Sequence, residues 1–319
     1  MTTFEDKDQI HPLLQDNAIF PTRALEEFIN TLRYWLMNLL PGGIVYGNQR
    51  TGKTQALRYL INNLQTSLGE DIPAIILSAW EPTATSTTEN RFFGELLYAL
   101  GYAIPNSGTA AIKRRRAIDF IIGKTRDKKE HRYLLIIDEA QWLSSSQLRY
   151  LMDIHNQLKF ANIRLITFLV GQPELLMMKN DLRTRKERHL LGRFMTDSHE
   201  FHGLQNLNDL KRIMHSLDND SEFPIGSGCS YTRFFAPLAY QRGWRVEQDA
   251  DLTWRVLNEM LARQGITTAG PGFPMQPFTA YFIWLFRTIQ QMDSPEFTLT
   301  EGLIERGLLQ VAIQFQDLG

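Results

Sequence analysis

The segment that decides the fold reads Gly47-Asn48-Gln49-Arg50-Thr51-Gly52-Lys53-Thr54. It has the spacing G-x-x-x-x-G-K-[ST], with apolar residues 44–46 before it and helix-forming residues 55–60 after it. A glycine-rich turn between a strand and a helix lets successive backbone N–H groups surround an anion. The first turn of the helix adds a partial positive charge. This context predicts a phosphate-binding loop rather than a glycine turn that fits the pattern by chance.

The chemistry of this loop predicts a nucleotide site. We expect ATP to bind through Gly47, Asn48, Gln49, Arg50, Thr51, Gly52, Lys53, Thr54 and Gln55. The Lys53 ammonium would reach the β- and γ-phosphates, and the Thr54 hydroxyl would hold Mg²⁺.

An apolar strand downstream ends in two acids and predicts the second half of the site. Residues 134–137 are followed directly by Asp138 and Glu139. Asp138 would hold Mg²⁺, mostly through water. Glu139 would orient and deprotonate the attacking water, as the catalytic base. Two acids that merely end a strand are the weaker interpretation beside an upstream phosphate loop.

Three further catalytic residues are predicted from their positions. Gln172 follows the strand 164–170, and ligands bind beyond the carboxyl ends of parallel strands. Its amide would touch the γ-phosphate, although a turn residue before a proline is an equally good interpretation. Arg193, and after it Arg188, are candidates for an arginine supplied to a neighbouring subunit's site. A solvated helix is the alternative for most of the basic residues in 183–193.

Strands and helices alternate over 22–203, which predicts a parallel, doubly wound sheet. From 206 onward the pattern is helical. We therefore expect an N-terminal arm at 1–20, an α/β ATPase domain at 21–204 and a helical lid and C-terminal domain at 205–319. In detail, the patterns predict a buried strand at 73–78, a helix capped by Ser146, and a single helix from 174 to about Phe194.

The composition indicates where in the cell the protein is located. The chain has 319 residues, 43% of them hydrophobic, and its apolar runs are far shorter than the roughly 18–20 residues that span a bilayer. A polar, acidic start does not fit a signal peptide. The single cysteine, Cys229, allows no internal disulfide and fits a reducing compartment. The expected location is cytoplasmic, without a membrane partner.

The charge distribution points to an anionic partner. The net charge is −1, yet residues 111–132 carry nine Lys/Arg against three acids, so that segment is +6 and the remainder −7. One basic segment on a nearly neutral chain indicates a surface for an anion such as a nucleic acid. A solvated charged face before the next strand is the alternative.

Three motifs carry a family resemblance. The loop 47–54, the segment Leu135-Ile136-Ile137-Asp138-Glu139-Ala140-Gln141 and the segment Val170-Gly171-Gln172-Pro173-Glu174-Leu175 follow one another in the chain. In this order and spacing they resemble the AAA+ ATPases of the TnsC/TniB type, which are ATP-dependent regulators of transposons related to the secretion ATPase ExeA. The resemblance covers residues 10–205 well and the helical region loosely.

The resemblance implies a fold and partners. The fold would be α/β, an AAA+ P-loop parallel sheet flanked by helices, with a C-terminal helical lid domain. Subunits would form homo-oligomeric rings or helical filaments on duplex DNA, and a transposase and a target-selection adaptor would be partners. Relatives often carry Gly-x-Pro-Arg in the lid, whereas this chain has Met275 in the arginine's place. That difference suggests slow or partner-stimulated ATP hydrolysis.

The resemblance also gives the basic segment a role in lining a DNA-filled pore. The candidate DNA contacts are Lys113, Arg114, Arg115 and Arg116, followed by Thr125, Arg126 and Lys159. Four consecutive residues cannot share one helix face, because each advances about 100°. We therefore expect two of them, Lys113 and Arg116, to contact phosphates.

Two other functions stay open at this point. An AAA+ ATPase of the secretion type would assemble or remodel a protein machine without DNA. A small-molecule kinase would use the same phosphate loop, but the Asp138-Glu139 pair and the helical C-terminal region argue against it.

Overall fold

A computed structural model describes residues 10–15, 19–68, 71–81, 88–126, 128, 131–263 and 272–311. Its contacts divide the chain into two compact units. The sheet unit comprises Glu27–Gln49 and Lys53–Phe201, and the helical unit comprises Met1–Glu26, Arg50–Gly52 and His202–Gly319.

Five parallel strands form the centre of the sheet unit. They are β1 (Gly42–Tyr46), β2 (Ala74–Ser78), β3 (Arg132–Asp138), β4 (Arg164–Gly171) and β5 (Ser198–Glu200). Their order is β2-β3-β4-β1-β5, so β4 lies between β1 and β3. This arrangement confirms the predicted parallel sheet. It also brings the carboxyl ends of β1, β4 and β3 to one edge.

Eight helices accompany these strands in the described part of the chain up to residue 201. They are α1 (Arg23–Met37), α2 (Lys53–Asn62), α3 (Leu64–Leu68), α4 (Glu89–Ala99), α5 (Ala110–Thr125), α6 (Ser145–Phe160), α7 (Glu174–Thr184) and α8 (Arg188–Phe194). The apolar faces of α4 to α8 and the buried strands β3 and β4 form the core cluster of the unit.

Three local predictions are corrected. The residue that caps α6 is Ser144, not Ser146, because Ser144 and Gln147 form a reciprocal capping box. Strand β2 lies at the edge of the sheet and is mostly half-buried, so the predicted buried strand is wrong. The single helix to Phe194 is two helices, because Lys186 between them has a left-handed φ of 58°.

The helical unit contains six further helices among its described residues. They are α9 (Leu207–Asn219), α10 (Tyr231–Phe235), α11 (Pro237–Gln241), α12 (Ala250–Arg263), α13 (Met275–Met292) and α14 (Glu301–Val311). Ala236 separates α10 from α11, because its φ of −133° is not helical.

The described part of the N-terminal segment packs in the core of the helical unit. Leu13 is fully buried, and the His11 ring lies 4.3–5.0 Å from the rings of Phe223, Tyr231, Phe234 and Phe235. The rest of the predicted arm, residues 1–9 and 16–18, lies outside the described residues. No helix among the described residues has the length and apolarity that crossing a bilayer requires.

The packing of β1 against α1 yields a stability prediction. A Cβ on Gly43 would lie 2.6 Å from the Trp35 ring, which is fully buried and donates from Nε1 to Asp197 at 2.9 Å. We expect Gly43→Ala to lower the unfolding free energy by about 1–3 kcal/mol, measured by denaturant titration. Gly123→Ala in α5 is the control, because its Cβ would meet no described atom within 4 Å. An unchanged midpoint for Gly43→Ala would contradict this account of the packing.

Candidate functional site

The phosphate loop is folded around Lys53, the first residue of α2. The Lys53 Nζ donates to the carbonyl oxygens of Gly47 at 2.8 Å and Asn48 at 2.6 Å. Arg50 and Gly52 have left-handed φ values of 61° and 103°, which turn the chain between β1 and α2. Gly47 has no room for a side chain, since a Cβ there would lie 2.2 Å from the Phe201 carbonyl oxygen. The strand, loop and helix therefore have the predicted order.

Lys53 is a buried cation among carboxylates. Its side chain is nearly inaccessible, and burial lowers its pKa, while the charges of Glu139, Asp138 and Glu174 raise it. A cation that is withdrawn from water and lies beside the loop backbone is suited to bind an anion that enters the loop.

Thr54 and Asp138 join the loop to β3. The Thr54 hydroxyl donates to Asp138 Oδ2 at 2.9 Å, although 84 residues separate them in the chain. Burial raises the pKa of Asp138, and the hydrogen bonds from Thr54 and the Glu139 N–H oppose that shift. A hydroxyl and a carboxylate in contact are hard oxygen ligands of the type that Mg²⁺ prefers. The two residues predicted to hold the metal are thus adjacent and fit it.

Glu139 has an unusual backbone conformation. Its φ of 54° and ψ of 33° are left-handed, which costs a residue other than glycine about 1–2 kcal/mol. The Glu139 N–H donates to Asp138 Oδ1 at 3.0 Å, and the Glu139 carboxylate accepts from Gln141 Nε2 at 2.6 Å. Strained residues of this kind are common at functional sites.

Gln172 reaches the phosphate loop from the end of β4. Its side-chain oxygen accepts from Gln49 Nε2 at 2.9 Å, and its backbone N–H donates to Gln141 Oε1 at 3.0 Å. No site role is predicted for Gln141 from the sequence. Its position two residues after Glu139 was the only signal, and the contacts depend on the 3-10 turn Ala140–Trp142.

The two candidate arginines have different surroundings. Arg193 is half-buried in α8, and its carbonyl lies close to Gly42, at the end of β1 opposite to the phosphate loop. Burial, and after it the charge of Arg193, lowers the pKa of His155 to about 3. Arg188 is exposed in the first turn of α8, and no side-chain hydrogen bond or ion pair of Arg188 is seen within the described ranges.

Two predicted DNA contacts are wrong, because their side chains lie inside the protein. Lys113 is 4% exposed, and its Nζ donates to Asn90 Oδ1 at 2.6 Å and to the Asn90 carbonyl at 3.3 Å. Thr125 is fully buried, and its hydroxyl donates to the carbonyl of Ile121 at 2.9 Å.

The other basic residues of α5 lie at the surface, and each has a partner. Arg114 lies 3.3 Å from Glu89 and 3.9 Å from Asp153, and Arg115 lies 3.0 Å from Asp119. The Arg116 guanidinium donates to the Ser107 carbonyl at 2.7 Å and lies over the Tyr102 ring. Arg126 and Lys159 are exposed at the ends of α5 and α6.

Met275 begins α13 in the helical unit. It is nearly buried, and a Cβ on Gly52 would lie 3.6 Å from the Met275 Cβ. The Gln276 N–H donates to the Arg50 carbonyl at 3.2 Å. Met275 and Gln276 thus lie beside Gly52 and Arg50 within the helical unit.

Comparison with known proteins agrees with this geometry. Residues 41–178 match a family model described as an AAA domain. This match, the parallel strand order and the helical C-terminal region define an AAA+ P-loop fold, which confirms the predicted fold class. Proteins with AAA+ domains are ATPases, and the match therefore supports a general nucleotide-hydrolysing role for this chain. A search of curated proteins found no match to the chain.

Several solved structures are similar in backbone. An Orc1 protein of Aeropyrum pernix in complex with DNA is 16% identical, with a TM-score of 0.44, over 96% of this chain and 85% of that one. A Cdc6p of Pyrobaculum aerophilum is 16% identical, with a TM-score of 0.45, over the same shares. The Drosophila ORC bound to DNA is 14% identical, with a TM-score of 0.45, over 92% and 70%. DNA is named for the first and the third of these proteins.

The loop geometry yields a binding prediction. We expect Lys53→Ala to weaken ATP binding about 10- to 100-fold, because the net gain when Lys53 exchanges the loop carbonyls for phosphate is about 1.5–3 kcal/mol for an ionic hydrogen bond. Titration with a fluorescent ATP analogue measures the change. Lys124→Ala, on the exposed surface of α5, is the matched control. Equal affinity of the Lys53 and Lys124 variants would show that the loop is not the nucleotide site.

Proposed function

We propose that the protein is an ATPase that uses Mg²⁺ and assembles on duplex DNA under the control of the bound nucleotide. The observation that carries the ATPase proposal is the 2.9 Å hydrogen bond between Thr54 and Asp138. It joins a phosphate loop to a pair of acids at one edge of the sheet. If the glycine loop and the acids at the end of β3 had no shared function, no contact between Thr54 and Asp138 would be needed.

The residues of the site suggest how hydrolysis proceeds. Lys53 exchanges the carbonyls of Gly47 and Asn48 for the phosphates of ATP. Thr54 and Asp138 would hold Mg²⁺, and the ion would neutralise negative charge that develops on the phosphates. Glu139 orients a water toward the γ-phosphate and accepts its proton.

The surface of α5 supports the DNA proposal. Arg115 is 77% exposed, and its i,i+4 pair with Asp119 is worth only about 0.3–0.5 kcal/mol. Such a pair yields readily to a phosphate, and the half-buried Arg114 and Arg116 flank Arg115 in α5. With Lys113 and Thr125 buried, we assign the DNA contacts to Arg114, Arg115 and Arg116, with Arg126 and Lys159 as outlying contacts. Contacts of this kind bind the backbone, without reading the sequence.

Assembly follows from the arginine candidates. An arginine that acts on the ATP of a neighbouring subunit has to extend from its own subunit, and exposed Arg188 meets that requirement better than half-buried Arg193. We therefore place Arg188 first, which reverses the order expected from the sequence. The enzyme would then hydrolyse ATP only as a homo-oligomer, a ring or a filament.

The biological role is proposed from the resemblance of the three motifs to regulators of the TnsC/TniB type. In that role the DNA-bound oligomer links a target-selection adaptor to a transposase in the cytoplasm and disassembles when ATP is hydrolysed. Imaging with duplex DNA tests this role. Oligomers that require both DNA and a non-hydrolysable ATP analogue support it, and oligomers that are indifferent to DNA favour an ATPase that remodels a protein machine.

Replacement of the general base tests the ATPase mechanism. We expect Glu139→Gln to bind ATP with unchanged affinity and to lower kcat about 10²- to 10⁴-fold, because the water loses its proton acceptor. Phosphate release measures turnover. Glu95→Gln, on the exposed face of α4, controls for the loss of one charge. Turnover equal to that of the control would remove Glu139 as the base.

Charge reversal tests the DNA surface. We expect the double variant Arg115→Glu, Arg116→Glu to bind duplex DNA at least about 10-fold more weakly. The slope of log affinity against log salt should fall by about one for each lost phosphate contact. The matched control is the double variant Arg255→Glu, Arg263→Glu, because both arginines are exposed, pair with acids and lie outside α5. An unchanged affinity at matched salt would show that α5 does not contact DNA.

A further inference from the structure

Three glutamines form a chain of hydrogen bonds from the phosphate loop to Glu139. Gln49 Nε2 donates to Gln172 Oε1, the Gln172 N–H donates to Gln141 Oε1, and Gln141 Nε2 donates to the Glu139 carboxylate. We propose that Gln141 is a positioning residue that holds the Glu139 carboxylate in its working orientation and couples it, through Gln172, to the phosphate loop. The proposal deepens the ATPase function and rests on it.

Both polar atoms of the Gln141 amide form hydrogen bonds. Its nitrogen lies 2.6 Å from Glu139 Oε2, and its oxygen accepts from the Gln172 N–H at 3.0 Å. A primary amide is the side-chain group that donates and accepts at once in this fixed geometry. Glutamate would place a second carboxylate beside Glu139, and leucine would make neither bond. The requirement at this position is therefore chemical as well as steric.

Glu139 needs an anchor because its backbone alone does not orient its carboxylate. The left-handed conformation directs the start of the side chain, but three rotatable bonds separate Cα from the carboxylate oxygens. A general base has to lie within hydrogen-bond reach of the attacking water, and a displacement of 1 Å lowers the rate by up to about 10²-fold. The bond from Gln141 fixes one oxygen and leaves the other for water.

The link to the loop passes through the end of β4. Gln172 uses its backbone N–H for Gln141 and its side chain for Gln49, so one residue contacts both the base's anchor and the loop. A phosphate that enters the loop and draws either amide toward it would shift this residue. Because Gln141 is bonded to both Gln172 and Glu139, it would transmit this movement to Glu139 directly.

The first test replaces the anchor. We expect Gln141→Leu to lower kcat about 10- to 100-fold, while the KM for ATP and the affinity for a non-hydrolysable analogue change less than about twofold. Gln157→Leu, the same replacement on the exposed face of α6, is the control. A kcat equal to that of the control would overturn the positioning role. If Glu139→Gln also turns over normally, the ATPase mechanism itself fails. If Glu139→Gln is inactive, only the role of Gln141 fails.

An isosteric variant separates positioning from a merely structural effect. Gln141→Glu keeps the size of the side chain but replaces the amide nitrogen that donates to Glu139 by a second carboxylate oxygen. We expect kcat of Gln141→Glu at pH 8 to fall at least as far as that of Gln141→Leu, because neither variant donates a hydrogen bond to Glu139. A kcat of Gln141→Glu close to that of the wild type would show that only the size of the side chain matters, and would overturn the proposal.

A double-mutant cycle tests the coupling. We expect Gln49→Leu to lower kcat several-fold in the wild type and to have no further effect in Gln141→Leu, because the chain of hydrogen bonds is already broken. Effects on kcat that multiply would show that the loop and the base act independently, and would overturn the coupling.

Discussion

The pairing of three adjacent parallel strands is the constraint on which the site depends. Tyr46 at the end of β1 pairs with Gly171 at the end of β4, and Ile137 near the end of β3 pairs with Leu169. Because this register aligns the three carboxyl ends, the loop, the acids and Gln172 meet at one edge although they are far apart in the chain. A shift of one residue in either ladder would separate Thr54 from Asp138. The backbone hydrogen bonds of the sheet thus determine the chemistry.

The sheet and the nucleotide loop could be predicted from sequence because their signals are local. Apolar runs bounded by breakers define strands, and the loop spacing has its own mechanism. Lys113 and Thr125 were misplaced because charge and polarity do not reveal what a helix face packs against. Asn90, the partner of Lys113, lies on another helix. Gln141 was not predicted because its contact with Glu139 requires the left-handed backbone of Glu139, and a glutamate in the sequence does not indicate that conformation.

The predicted boundaries of α6 and α8 were wrong for a related reason. Ser144 and Ser146 are equally good cap residues by composition, and only the reciprocal bond with Gln147 selects one. The break before α8 depends on the left-handed backbone at Lys186, a residue type that does not favour it. In each case, one hydrogen bond or one dihedral angle decides between alternatives of similar propensity.

The hydrogen bonds of Lys53 to the loop have a thermodynamic consequence. Its ammonium already donates to two loop carbonyls, so nucleotide binding exchanges one set of acceptors for another. The lysine contributes to affinity only the difference between phosphate and carbonyl as partners, together with the Coulomb attraction. Its ordering entropy is spent when the protein folds and not when the ligand arrives. The loop is therefore preorganised, and inorganic phosphate alone would have to displace the same internal hydrogen bonds while it forms fewer new ones than ATP does.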